Sequence, residues 1–177
     1  MKHILIALLL ISTLTHASGI LEVDWSSVKT LDEQNTTTNK RRSRLTVPES
    51  LKEQILNIEM PVYFPKDKLN SKDMSIVTDT NFYAVTIKLD NAYLMISGDK
   101  TYQAEITTSK ANMKKAIEGY DRKYIVSEGS VNIDFRRHGV NYMLTVECDK
   151  PQTDKRCKNS TFLKSEYKKL VVIGGKR

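Results

Sequence analysis

The alternation of apolar and polar residues between Val131 and Cys148 constrains the fold of this 177-residue chain more than any other pattern. Apolar side chains occupy every second position in two consecutive runs, Val131, Ile133 and Phe135 and then Val140, Tyr142, Leu144 and Val146. Alternation with a period of two predicts strands that place one face on a core and the other in water. His138 and Gly139, between the runs, can take the positive φ of a two-residue turn. The sequence therefore predicts a β-hairpin in this stretch.

The first 17 residues have the features of a secretory signal peptide. A basic start at Lys2 precedes the apolar run Ile4–Leu14, and Thr15 and Ala17 place small residues at the cleavage positions. The apolar run is shorter than the roughly 20 residues that span a bilayer. We therefore expect cleavage after Ala17 and an exported, soluble mature chain without a transmembrane segment. The periplasm is the expected compartment, and the extracellular space is the alternative.

The two cysteines, Cys148 and Cys157, are predicted to form a structural disulfide. An even cysteine count in an exported chain favours a disulfide over two free thiols. Their spacing does not fit the C-x-x-C redox motif, and too few histidines accompany them for a zinc site. Closing so short a loop contributes about 2–3 kcal/mol of stability by the chain-entropy relation.

Composition and charge narrow the class of protein further. Hydrophobic residues make up 40% of the chain, which is enough for a packed core, so disorder throughout is not expected. Lys and Arg outnumber Asp and Glu by 28 to 21, which gives a formal charge of +7. This balance attracts acidic partners such as phosphates or anionic lipid head groups, although it is also ordinary for a soluble protein. Nucleic acid is not expected as a partner of an exported chain.

Residues 18–45 are predicted to form a flexible N-terminal arm ahead of a single domain at residues 46–177. Ile20–Ser26 alternates in a way that fits a short strand on a sheet edge, with Trp25 anchoring the arm. The arm ends in four closely spaced cations, Lys40, Arg41, Arg42 and Arg44. We interpret them as candidate anion-binding residues for an acidic surface. A solvated, protease-sensitive linker is the alternative.

The domain is predicted to contain short strands and a few helices. A proline in the first turn predicts a helix beginning near Pro48, followed by an extended edge segment at Met60–Pro65. Further strands are predicted at residues 74–78, 82–89, 92–97, 101–106 and 124–128. Residues 109–118 are either a helix or a loop, a later helix begins at Asn159 or Ser160, and Val171–Ile173 is either a last strand or the end of that helix. The predicted class is α+β, an antiparallel sheet of about five to seven strands with two or three helices on one face and one disulfide.

No catalytic motif is recognisable in the sequence. His138 is the one histidine beyond residue 17, and neither a G-x-S-x-G elbow nor a glycine-rich phosphate loop occurs. We therefore predict no catalytic residue, no metal ligand and no cofactor. Carboxylate pairs stay open, because glycosidases assemble them from distant parts of a fold. The acids in or beside predicted strands are Asp90, Asp99, Glu105, Asp134 and Glu147.

Arg136 and Arg137 precede His138 at the predicted hairpin tip. Guanidinium groups bind planar carboxylates and phosphates, so this pair is a candidate anion-binding site. The alternative is a solvated turn whose charges oppose aggregation of the hairpin.

These observations favour an exported, non-catalytic binding or interaction protein that contacts an envelope component, a protein partner or an anionic surface. A hydrolase that acts on polysaccharide or cell wall through paired carboxylates is the first alternative. A carrier of a small apolar ligand is the second. The sequence leaves the ligand, the partner and the oligomeric state open.

Overall fold

A six-stranded antiparallel sheet dominates the computed structural model, which describes residues 18–29, 46–103 and 123–176. The described strands are β1 (Ser18–Ile20), β2 (Val62–Pro65), β3 (Met74–Asp79), β4 (Phe82–Leu89), β5 (Ala92–Asp99), β6 (Thr101–Gln103), β7 (Lys123–Ser127), β8 (Ser130–Arg137), β9 (Val140–Cys148) and β10 (Leu170–Gly174). The central sheet has the order β3-β4-β5-β9-β8-β7. Two further antiparallel pairs are formed by β1 with β6 and by β2 with β10.

Three α-helical segments occur in the described ranges, and the two longer ones are α1 (Glu49–Ile55) and α2 (Thr161–Lys168). A helical turn lies at residues 25–29. α1 lies against β3, and α2 lies against β8 and β9. A mostly antiparallel sheet with helices and one disulfide is compatible with the predicted α+β class.

The predicted hairpin is formed by β8 and β9, with Val131 paired to Val146 and Ile133 to Leu144. His138 and Gly139 form its turn with φ of 50° and 81°. The alternating apolar residues of both strands are buried on one face of the sheet, as the pattern predicted. Equivalent residues of β4 and β5 continue this inner face, and they are Tyr83, Val85, Ile87, Ala92, Leu94 and Ile96.

The pair of β2 and β10 packs on the inner face of the sheet. All four residues of β2 are buried. On the edge of β2 that does not pair with β10, tyrosine hydroxyls bond the backbone N–H and carbonyl groups. The Tyr63 N–H donates to Tyr83 Oη at 2.9 Å, and the Tyr83 hydroxyl donates to the Tyr63 carbonyl at 3.3 Å. The Tyr142 hydroxyl donates to the Pro61 carbonyl at 2.9 Å. The segment predicted as an extended edge is therefore extended but buried, and residues 170–174 form its partner strand.

The predicted disulfide between Cys148 and Cys157 is confirmed, with a Cα–Cα distance of 6.2 Å. It joins the end of β9 to the 3-10 turn at Lys155–Cys157 that precedes α2. Both cysteines are buried, as is Leu163 on the inner side of α2. The bond therefore fixes α2 against the strand on which that helix packs.

The N-terminal arm differs from its prediction. The strand is β1, which pairs with β6, and residues 25–29 are helical, so the strand prediction for Ile20–Ser26 is wrong beyond Ile20. The reason is Asp24, whose carboxylate accepts a hydrogen bond from the Ser27 N–H at 3.1 Å and so caps a helical turn. Asp24 also donates its own N–H to the His138 carbonyl at 2.9 Å, which places the arm at the hairpin tip.

Several predictions fall on residues that the structure does not describe. These are the signal peptide, residues 30–45 with their basic cluster, the continuation of β6 to residue 106, and the helix or loop at residues 109–118. Within the described ranges, no helix combines the length and the apolar character that crossing a membrane requires.

Candidate anion-binding site at the hairpin tip

Arg136 and Arg137 lie on opposite faces of the sheet, because successive side chains of a strand alternate. Arg137 follows Phe135 onto the inner face, whereas Arg136 is paired in register with Asn141. Arg136 Nη2 donates a hydrogen bond to the Gly139 carbonyl at 3.3 Å. The two guanidinium groups therefore do not combine into one binding fork.

Arg137 is half-buried against three aromatic rings, and together we call these four residues the arginine–aromatic cluster. Its Cζ lies 4.7 Å from the ring centroid of Tyr167, 5.0 Å from that of Tyr63 and 5.3 Å from that of Phe135. Aromatic rings attract a cation through their quadrupole, but they carry no opposite charge. None of the ion pairs among the described residues includes Arg137. Its positive charge is therefore uncompensated by any described acid.

His138 extends this cluster to the N-terminal arm. Tyr63 Oη lies 2.8 Å from His138 Nε2, and Ser27 Oγ lies 2.5 Å from Nδ1. The imidazole and the Tyr63 ring are nearly parallel, with centroids 6.1 Å apart and an interplanar angle of 3°. We call the arginine–aromatic cluster together with His138 and Ser27 the hairpin-tip site. The arm, β2, α2 and the hairpin each contribute to it.

The electrostatics of the hairpin-tip site disfavour a second cation. Burial lowers the pKa of His138 below its ordinary value of 6.5, the Arg137 charge lowers it further, and the Asp24 carboxylate opposes both effects. Burial raises the pKa of Tyr63, although Arg137 opposes this shift. At neutral pH the site therefore holds the Arg137 charge beside an uncharged imidazole and the uncharged Tyr63 phenol.

Ser27 and His138 lie within hydrogen-bond distance, as in a serine–histidine dyad. However, the Ser27 hydroxyl donates to the Asp24 carbonyl oxygen at 2.8 Å, so its hydrogen does not point to the imidazole. The Asp24 carboxylate accepts from Ser26 and from the Ser27 N–H rather than from the histidine. This arrangement positions a hydroxyl but does not activate it as a nucleophile.

The candidate carboxylates are spread over the sheet. Burial raises the pKa of Asp134. Asp90 lines an open hollow of about 510 Å³ together with Asp73 and Asp149. Asp134 lies level with Ser97 of β5, and Ala92, which follows the Asp90 turn, is five positions from Ser97, or roughly 17 Å along the strand. The acid with a raised pKa and the acid-lined hollow therefore do not coincide.

Asp99 and Glu147, the two other candidate acids in the part of the chain that the structure describes beside β5 and β9, lie apart from Asp134 in the sheet register. Asp99 accepts two hydrogen bonds from Thr101, at 2.6 and 2.7 Å. Glu147 is paired in register with Ser130, four residues from Asp134 along β8. Glu105 lies outside the described residues, and so do Lys40, Arg41, Arg42 and Arg44, whose anion binding stays a prediction.

Sequence reasoning found Arg137 and His138 but missed Ser27, Tyr63 and Tyr167. Tyr63 and Tyr167 lie in predicted elements, but no local pattern directs them to the hairpin tip. In the described ranges, no three or more His, Cys, Asp or Glu side chains are grouped so that they could hold a metal ion. A scan of protein-family models finds no match to the chain, and neither curated proteins nor solved structures show one. Evidence for function therefore comes from the geometry of the site itself.

Proposed function

We propose that this chain is an exported, non-catalytic binding protein that holds an anionic group of its partner at the hairpin-tip site. The anionic group is a carboxylate or a phosphate of an envelope component or of a protein partner. The observation that carries the proposal is the Arg137 guanidinium, which is half-buried against aromatic rings and has no described acid to neutralise it.

The chemistry of the surrounding groups supports an anionic ligand. A guanidinium presents planar N–H donors that match the two oxygens of a carboxylate or phosphate. Tyr63 lies at the same site and can turn its hydroxyl to such an oxygen. The nearby aromatic rings hold the guanidinium in place, so less conformational entropy is lost when the anion binds.

The N-terminal pattern and the disulfide support export. Residues 1–17 resemble a cleavable signal peptide, and a buried bond between Cys148 and Cys157 suits an oxidising compartment. Mass spectrometry of the protein from fractionated cells tests this part of the proposal. A chain that begins at Ser18 outside the cytoplasm is expected, whereas a cytoplasmic chain that retains residues 1–17 would contradict it.

Anion titration tests the binding site directly. We expect acetate and sulfate to shift the NMR signals of the Tyr63, Tyr167 and His138 rings in the wild-type protein. Arg137→Gln should weaken binding about tenfold or more, because a hydrogen bond to a charged group contributes about 1.5–3 kcal/mol. Arg137→Lys keeps the charge but loses the planar fork, and its affinity should lie between the two.

The matched control is Lys88→Gln. This variant removes one exposed cation from β4, at the end of the sheet far from the hairpin tip. This variant should bind as the wild type does. Equal loss in Lys88→Gln and Arg137→Gln would mean that net charge alone attracts the anion. An unchanged dissociation constant in a folded Arg137→Gln protein would exclude the hairpin-tip site.

A further inference from the structure

The hydrogen bonds at the hairpin tip have a defined direction. A serine hydroxyl has one hydrogen, and that of Ser27 is donated to the Asp24 carbonyl at 2.8 Å. His138 Nδ1, 2.5 Å from Ser27 Oγ, must therefore be the donor of their hydrogen bond. Nε2 of a neutral imidazole is then an acceptor, and it accepts from the Tyr63 hydroxyl at 2.8 Å. The chain runs from Tyr63 through His138 and Ser27 to the Asp24 carbonyl.

Protonation of His138 changes one end of this chain. An imidazolium carries hydrogen on both nitrogens, so Nδ1–H still donates to Ser27, but Nε2–H now donates to Tyr63 Oη. The Tyr63 hydrogen must then turn to a different acceptor. The charged group beside Tyr63 is the Arg137 guanidinium, which has only donors. An anion held by Arg137 would accept the hydrogen bond that the Tyr63 hydroxyl can no longer donate to His138.

We infer that the hairpin-tip site binds its anion together with a proton, which His138 takes up. This inference rests on the anion site proposed above and assigns its regulation. The bound anion offsets the Arg137 charge and accepts the Tyr63 hydrogen, and both effects favour the imidazolium. By linkage, the protein binds the anion more tightly at acidic pH, and the anion raises the affinity of His138 for its proton.

Other charged groups around His138 fit this coupling. Asp24, on the arm, favours the imidazolium, whereas Arg137 on β8 opposes it. Arg136 bonds to the Gly139 carbonyl on the other face of the strand, and Tyr63 on β2 is uncharged at neutral pH. Arg137 is thus the cation whose effect a bound anion would cancel.

Sulfate is the probe for the test, because its charge is constant between pH 5 and pH 8, unlike that of phosphate. Chloride at matched ionic strength serves as the reference. The ring signals of His138 are followed by NMR in the full chain and assigned by their absence in His138→Asn, a residue that tolerates the positive φ of this turn. We expect sulfate to raise the midpoint of the His138 titration, and to bind about fivefold or more tightly at pH 5.5 than at pH 7.5.

Tyr63→Phe separates the effect of the Tyr63–His138 hydrogen bond from simple charge attraction. This variant keeps Arg137 and His138 but lacks the hydroxyl, so sulfate should still bind while its pH dependence becomes smaller. Sulfate binding that is independent of pH, with an unmoved His138 titration, would overturn the coupling and leave the anion site intact. Failure of sulfate to bind at either pH would overturn both proposals.

Discussion

Tyr83 and Gly98 face each other across β4 and β5, and the tyrosine ring fills the space above the glycine. A Cβ on Gly98 would lie 2.5 Å from Tyr83 Cε1 and 2.9 Å from Tyr142 Cε1. Both rings are held by hydroxyl bonds to the segment at residues 61–63, so neither can move aside freely. The absence of a side chain at Gly98 therefore allows the sheet to contact β2.

Gly98→Ala should destabilise the protein by about 1–3 kcal/mol, the usual cost of overpacking a filled core. Urea unfolding followed by circular dichroism measures the change. Gly174→Ala is the matched control, because its Cβ would also meet an atom at 2.5 Å, but that atom is the flexible end of Ile55. A loss at position 174 as large as that at position 98 would contradict this reasoning.

Tyr83→Phe should cost more stability than Tyr142→Phe. The first change leaves the buried Tyr63 N–H without its acceptor, which costs about 1–3 kcal/mol, whereas the second removes one donor to the Pro61 carbonyl. Equilibrium unfolding of the two variants gives the comparison. Burial also raises the pKa of both phenols, so neither should ionise in an alkaline absorbance titration before the protein unfolds. The reverse order of stability would show that the edge of β2 does not depend on Tyr83.

Removal of the disulfide by Cys148→Ala with Cys157→Ala should lower the free energy of unfolding by about 2–3 kcal/mol. The short loop that it closes is the physical reason, and both side chains are buried, so small cavities add to the loss. Guanidinium unfolding with and without reductant gives the same comparison in the wild-type protein. Insensitivity of the wild-type midpoint to reductant would mean that the bond adds no stability.

Lys169→Met should be strongly destabilising because Lys169 neutralises Glu166. The Lys169 ammonium lies 2.6 Å from Glu166 Oε1, and the Glu166 side chain is 3% exposed. Removing one partner of a buried ion pair usually lowers the free energy of unfolding by about 3–5 kcal/mol. We expect a loss of about 2–3 kcal/mol here, because Lys169 itself is partly exposed.

A double-mutant cycle isolates this ion pair. Glu166→Gln with Lys169→Met should recover most of the stability that Lys169→Met alone loses. Asp67, which also contacts Lys169 at 3.0 Å, is more exposed, so Asp67→Asn should cost at most about 1 kcal/mol. Additive losses in the cycle would exclude coupling between Glu166 and Lys169.

Stability should fall on mild acidification because His138 is held neutral. Its folded pKa is lower than its ordinary value of 6.5, so the unfolded chain takes up the proton first as the pH decreases. The stability that depends on neutral His138 is complete above pH 6.5 and is lost as the pH falls through the folded pKa. For one proton, the free energy of unfolding can change by at most about 1.4 kcal/mol per pH unit.

Unfolding free energies measured between pH 7.5 and pH 5 without added sulfate test this effect. The wild-type protein should lose stability over this range, and His138→Asn should lose less because it has no imidazole to protonate. Parallel curves for the two proteins would show that His138 titrates alike in the folded and unfolded chains.

Much of the central sheet could be predicted from the sequence because its signals are local. Alternation from Val131 to Val146, the His138-Gly139 turn and the nine-residue separation of the cysteines each lie within a short stretch. The same alternation places Arg136 and Arg137 on opposite faces, although the two were predicted as one candidate site. The order of the strands has no such local signal, because an alternating strand can pair equally well with several neighbours. The central position of β9 was therefore not predictable.

The hairpin-tip site could be predicted only in part, because its contacts join distant parts of the chain. Tyr63 and His138 are 75 residues apart, and Ser27 and His138 are 111 residues apart. Asp24 begins a helical turn by capping Ser27, a signal that the apparent alternation of the arm concealed. An aspartate directly before residues 25–29 is the local signal for this helical turn.

The position of β9 between β5 and β8 delays completion of the sheet during synthesis. A chain that emerges from its N-terminus first holds two separate fragments, β3-β4-β5 and β7-β8, each with an edge that β9 alone will cover. β9 follows both fragments in chain order, so both must be made before they can join. Cys157 follows later still. Until β9 has been made, the two fragments lack the pairing that unites them into one sheet.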